Sequence, residues 1–254
     1  MPEINSWTAA LEASHHRFVG LVQPLSEREL EQRSYAEDWS IAQTASHLGS
    51  QAEIFGLFLD AGLSSTAAPG GEVFSPIWDR WNALDPKRQA TASIEADETL
   101  VQRISQLSPV QRDAFSLSLF GGDQDLAGLV AMRLSEHAVH TWDIAVALEP
   151  AATVSADAVS LLIDVLPATA ARSGRPATGV DPVSVVTSEP ERTFLLTLSP
   201  SVTLEAVDHA GADPLRLPAE ALLRLVYGRL DPQHTPAGVT DARLPRLREV
   251  FPGF

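Results

Sequence analysis

Arg133-Leu134-Ser135-Glu136-His137-Ala138-Val139-His140-Thr141-Trp142-Asp143 is the stretch on which the reading of this chain turns. Glu136 and His140 are four residues apart, a spacing that on a helix stacks two side chains on one face, near enough to share an ion. Followed in both directions, that face collects Leu129, Met132, Glu136, His140, Asp143 and Ala147, an inward-looking stripe broken by three polar groups. A carboxylate and an imidazole turned toward a core are costly without partners. A divalent metal satisfies both at once. The plainer alternative pairs Arg133 with Glu136 and His140 with Asp143, leaving a helix that is merely polar on one side.

Around this stretch the spacing predicts a helix from near Gly121-Gly122-Asp123 to Leu148, about 25 residues or roughly 37 Å. Glu149-Pro150 and the small residues after it end the helix and mark a domain boundary. Upstream, Trp7, Leu11, Phe18 and Leu21 recur at helical spacing over Ile4 to Val22. Leu25 to Asp38 reads as a connection with a short helical turn. Ser40 followed by Gln43 is a capping-box signal, opening a helix to about Leu59 with Ile41, Ala45, Leu48, Ala52, Phe55 and Leu59 as its buried stripe. Ala61 to Pro76 reads as a long surface loop, and a third long helix is expected over Gln89 to Leu107 after the Asp85-Pro86 turn. The segments Ala61 to Pro76 and Ser108 to Asp125 are expected to rim a pocket.

Residues 1–150 therefore read as a bundle of four helices with a crossover connection, and 151–254 as a smaller α+β domain. In the latter a short helix near Ala156 to Leu166 precedes β-rich runs at Val183 to Thr187, Thr193 to Leu198 and Val202 to Val207. Pro218 is expected at the first position of a helix that ends at Gly228, and a last helix lies near Leu244 to Val250. The fold class is α+β.

His47 adds a third candidate ligand from a different helix. Two imidazoles and one carboxylate suit Zn²⁺ or another borderline divalent ion, and three protein ligands leave a position open, as catalytic sites require. Alone, a histidine beside an apolar face is as readily a satisfied core residue. His15 is expected to face inward and His16 to face water. His137 points about 100° away from Glu136 around the helix. None of these, nor His209 or His234, is given a role.

Composition narrows the classes. The 254 residues carry a formal net charge of -15, and the sequence pI is about 4.8, which argues against binding nucleic-acid phosphates or an anionic membrane. Lys87 is the only lysine and cysteine is absent, so any metal must rest on His, Asp and Glu, and sulfur chemistry needs a sulfur from outside. No apolar run approaches a membrane span and no leader pattern opens the chain, so the expected location is cytoplasmic. There is no Gly-rich phosphate loop after a strand, no G-x-S-x-G turn and no H-E-x-x-H. Nucleotide enzymes and serine hydrolases are poor fits.

Three pieces of the sequence, in order, resemble the mycothiol-dependent maleylpyruvate isomerase family, whose N-terminal part is a DinB-like metal-binding four-helix bundle. They are Trp39-Ser40-Ile41 leading to His47-Leu48; Arg133-Leu134-Ser135-Glu136 with His140-Thr141-Trp142-Asp143; and the run from Pro218 through Ala219, Glu220, Ala221, Leu222, Leu223, Arg224, Leu225, Val226 and Tyr227 to Gly228-Arg229, followed by Phe251-Pro252-Gly253. The resemblance implies that His47, Glu136 and His140 are zinc ligands and that mycothiol is the thiol cosubstrate, activated as a thiolate. It implies cis-trans isomerisation of a maleylpyruvate-like acid, or thiol S-transfer to an electrophile. Arg229 resembles a family position suited to holding an acidic substrate or thiol cosubstrate, although an Arg after a helix-ending Gly often only complements the helix end. Asp143 is expected either to orient His140 or to pair with Arg133. The implied partners are small molecules, on a monomer or small homo-oligomer. The reading from another class is a DinB-like metal-binding or partner-binding protein without turnover.

Overall fold

The computed structural model describes residues 3–36, 38–119, 121–179 and 181–253. The chain divides into two compact units, Met1–Ala152 and Thr153–Phe254, and the fold is α+β.

In the first unit the elements are α1 (Ile4–Val22), α2 (Glu27–Leu30), α3 (Ile41–Ser64), α4 (Gly71–Asn82), α5 (Pro86–Ser105), α6 (Pro109–Ala114), the strands β1 (Leu117–Leu119) and β2 (Gly122–Gln124), and α7 (Leu126–Leu148). The long helices α1, α3, α5 and α7 form the bundle. Each packs on two others, α1 on α5 and α7, and α3 on α5 and α7, so the ring closes around one core. Phe18, Ile41, Leu48, Ala90 and Ile144 bring all four helices into that core. The Ser40 cap forms as its spacing predicts: the Gln43 N–H donates to Ser40 Oγ at 3.2 Å, and the Ser40 N–H donates to Gln43 Oε1 at 2.8 Å. All six stripe residues expected on α3 are buried.

Several expectations need correction. Ala61 to Pro76 is not a long loop: α3 continues to Ser64 and α4 begins at Gly71, leaving only 65–70 between them. Pro76 lies inside α4. The Gly and Pro punctuation hides an amphipathic pair, Ile77 and Trp81, which are buried with α4 packed on α3. Gly49 makes room for Trp81, since a Cβ there would lie 2.4 Å from its ring. Pro86 is the first residue of α5 rather than part of a preceding turn, because Asp85 caps it by accepting from the Arg88 N–H at 2.9 Å. The expected loop from Ser108 to Asp125 contains α6, capped by Ser108 and Gln111, and the β1–β2 hairpin; Phe120 in that stretch lies outside the described residues.

The second unit holds α8 (Ala156–Ser173), β3 (Val183–Ser188), β4 (Arg192–Thr197), β5 (Thr203–Ala206), β6 (Leu215–Pro218), α9 (Ala219–Val226) and α10 (Leu244–Val250). The sheet order is β5-β4-β3-β6, with β3–β4 and β4–β5 antiparallel and β3–β6 parallel. α8 packs on α9 and β5. It runs through Pro167 to Ser173, beyond the expected end at Leu166, because Thr169 and Ala170 continue its buried face. β6 is absent from the sequence reading, being short and ending in a proline. Pro218 stands at the cap of α9 with ψ 147°, so it precedes the helix instead of opening it. Gly228, at φ +72°, supplies the left-handed turn after α9.

No described helix is long and apolar enough to cross a membrane.

Candidate metal centre

His47 lies in the second turn of α3, and Glu136 and His140 lie one turn apart on α7, which packs directly against α3. One donor atom from each of the three residues falls within 4.8 Å of the others. His47 Nε2 is 3.6 Å and His140 Nε2 3.7 Å from the same atom, Glu136 Oε2. The two imidazoles meet edge to face at 4.7 Å between centroids, and the half-exposed indole of Trp39 lies 5.0 Å from His47 and 6.2 Å from His140.

Asp143 fixes one of these rings. Its Oδ2 lies 2.8 Å from His140 Nδ1, and the carboxylate is fully buried. A carboxylate at Nδ1 holds the proton there and leaves Nε2 with a free lone pair, turned toward Glu136.

Arg133, the cation the plainer alternative gave to Glu136, goes elsewhere. Its Nη2 donates to Asp97 Oδ1 at 2.7 Å and to the carbonyl of Leu48 at 3.0 Å, with the guanidinium 5.8 Å from the Phe55 ring centroid. Glu136 instead faces His47, His140 and the amide of Gln51.

Charge at the site suits a cation. Burial pushes the Glu136 carboxyl up, but the hydrogen bond from His47, the attraction of the His140 and His47 rings in their protonated forms and the Gln51 amide outweigh it and hold the group down at about 2. Burial first lowers the His47 pKa, and Arg133 and, whenever it is protonated, His140 lower it further against the pull of Glu136, which favours the neutral ring that can donate a lone pair. Two imidazole donors and one ionised carboxylate, converging from two helices, fit a divalent ion of the zinc type.

A second polar cluster, missed in the sequence, lies on a neighbouring face of α7. Asp97 of α5, with no exposure, accepts from Arg133, lies 2.8 Å from His137 Nε2, and lies 2.7 Å from His15 Nδ1 of α1. Ser14 Oγ is 2.8 Å from His137 Nδ1. His15 and His137 are thus engaged away from Glu136, while His16 is exposed. A signal existed: Ala90, Ser93, Asp97, Leu100, Val101 and Ile104 form the buried face of α5, and a carboxylate at helical spacing among them needs a partner. Gln51 was likewise overlooked.

Arg229 lies in the second unit, half-buried, with Nη1 donating to the Tyr227 carbonyl at 2.7 Å.

A family model described as the mycothiol maleylpyruvate isomerase N-terminal domain matches residues 11–145, more than half of the chain. No curated protein sequence matches. Among solved structures, the crystal structure of the mycothiol-dependent maleylpyruvate isomerase superimposes with a TM-score of 0.64 at 12% identity, covering 89% of this chain and 90% of that one. A histidine-to-alanine mutant of that enzyme gives the same figures. At this identity the likeness concerns the fold.

Proposed function

The chain belongs to the mycothiol maleylpyruvate isomerase family, whose N-terminal domain it matches over residues 11–145, and from that premise we propose that it is a metal- and thiol-dependent enzyme acting on a small electrophilic acid. His47, Glu136 and His140 would hold the metal, and zinc suits their donor set best. When bound, the ion supplies a Lewis acid that lowers the pKa of a thiol reaching it, so mycothiol serves as a thiolate near neutral pH.

The chain's own residues prepare that site. Glu136, held ionised, offsets part of the cation's charge, and Asp143 keeps the His140 proton on Nδ1. Trp39 lies beside both imidazoles. In the reaction, the thiolate sulfur bonds to one carbon of a cis double bond flanked by carbonyl groups, and the adjoining carbon becomes a carbanion stabilised by its carbonyl. The resulting single bond turns, and cleavage of the carbon–sulfur bond restores the thiolate and gives the trans isomer. If the carbanion is protonated instead and the carbon–sulfur bond stays, the outcome is S-transfer. Arg229, on the strength of the C-terminal signature, is our candidate for binding a carboxylate of the substrate or the thiol cosubstrate.

The observation that carries this reading is the convergence of three donors from two helices, in a chain without cysteine. Metal content by mass spectrometry, measured on wild type and on His47→Ala and followed by a mycothiol-dependent assay with maleylpyruvate, tests it. The expected result is about one zinc per chain, lost in the variant, with consumption that requires the thiol. Absence of metal after zinc is restored would overturn the reading. Metal without any thiol effect would favour a non-catalytic metal-binding protein.

A further inference from the structure

Gln51 stands on α3 one turn beyond His47. Its amide nitrogen lies 3.0 Å from His47 Nε2 and 2.9 Å from Glu136 Oε2. The amide therefore sits among the proposed ligand atoms and not behind them. Its carbonyl oxygen is shut off from solvent and has no hydrogen-bond partner among the described residues, an arrangement that costs free energy.

The placement of the amide among the donor atoms is what a metal-facing group would show; the unpartnered position is not relieved by turning the amide, which would put the –NH2 there instead. A half-turn of the terminal amide exchanges its oxygen and nitrogen, which are nearly the same size. The oxygen would then stand where the nitrogen stands now. Two ligands each about 2.0 Å from one tetrahedral zinc ion are about 3.3 Å apart. The separations here, 2.9 Å from the amide to Glu136, 3.0 Å from the amide to His47 and 3.6 Å from His47 to Glu136, bracket that value.

We infer that Gln51 is a fourth metal-facing residue, whose Oε1 takes the coordination position left open by His47, Glu136 and His140 until an incoming thiolate displaces it. The inference rests on the proposed metal site. A neutral amide oxygen is a hard, uncharged donor, whereas a thiolate is soft and anionic, so a zinc-type ion held here would favour the thiolate. Gln51 would thereby keep the site closed in the absence of the cosubstrate and set how readily the thiol enters.

Cobalt(II) is the probe, titrated into metal-free wild type, Gln51→Ala and Gln51→Glu, with visible absorption and calorimetry as readouts and circular dichroism to show that each variant is folded. The wild type is expected to give ligand-field bands. In Gln51→Ala these bands should change in position or intensity, cobalt should bind about tenfold more weakly, and mycothiol should bind the loaded protein more tightly. Gln51→Glu, with a charged oxygen in the same place, should restore cobalt affinity and resist the thiol. An unchanged spectrum in Gln51→Ala overturns the inference whether or not affinity falls, because the amide then only supports Glu136 from outside. A wild type with no ligand-field bands overturns the metal site itself, and this inference with it.

Discussion

His140 Nδ1 lies 2.8 Å from Asp143 Oδ2, and the aspartate is fully buried one helical turn further along α7. The pair fixes both the tilt and the tautomer of the imidazole before any ion arrives. Asp143→Asn keeps the size and removes the charge. Zinc affinity, measured by competition with a chromogenic chelator, is expected to fall about 10–100-fold, and an unchanged affinity would remove Asp143 from the account of the site.

Asp97 and Arg133 form an ion pair with no exposure on either side chain. Asp97→Asn leaves the guanidinium buried opposite a neutral amide, and the expected loss is about 3–5 kcal/mol. Urea unfolding followed by circular dichroism measures it. A loss under about 1 kcal/mol would show that the pair contributes as little as a surface salt bridge.

The same carboxylate gives stability a pH dependence of known sign. Burial pushes its pKa up, but His137 and Arg133 outweigh burial and hold it well below the usual carboxylate range. The folded value is thus depressed below the unfolded value of about 3.9. The associated stability is complete above that value and is lost as pH falls through it toward the folded one. Unfolding free energy measured at a series of acid pH values is expected to drop over this interval in wild type, and to drop less in Asp97→Asn.

Gly49 is set by packing. A Cβ at this position would approach the Trp81 ring to 2.4 Å and the Ser93 Cα to 2.8 Å, and backbone cannot move aside as a flexible side chain does. Gly49→Ala is expected to destabilise by about 1–3 kcal/mol, read as a lowered thermal midpoint, although alanine is the better helix former.

The Ser40 cap joins the connection before α3 to the helix that carries His47. Ser40→Ala is expected to cost about 1 kcal/mol. Ser40→Asp, which retains an acceptor, should restore most of it in the same denaturation assay.

The long helices were legible because their signals are local. Ser40 and Gln43 announce the start of α3 within four residues, and the spacing of Glu136 and His140 reports the period of α7. The stripe expected to look inward is nevertheless only partly buried at Met132, Glu136, His140 and Ala147, because the core face of α7 runs through Val130, Leu134, His137, Thr141 and Ile144. What stayed hidden depends on partners remote in sequence. α4 is held by Ile77 and Trp81, and the fit of Trp81 requires the missing side chain of Gly49 on another helix. The engagement of His137 needs Asp97, forty residues away, and that of Arg133 needs both Asp97 and the Leu48 carbonyl. Spacing brought Glu136 and His140 onto one face, while the approach of His47 and Gln51 to them is a property of how α3 packs on α7.

Arg133 reaches the main-chain carbonyl of Leu48, the residue after His47. This strut between the two donor-bearing helices ends on backbone, so no side-chain substitution at Leu48 can take the acceptor away, and its other anchor, Asp97, is not among the donors. A lineage built on this bundle can exchange donors, or the groups that meet the substrate, while the spacing of the helices persists. Divergence in chemistry and persistence of the scaffold are separated within a single turn of α7.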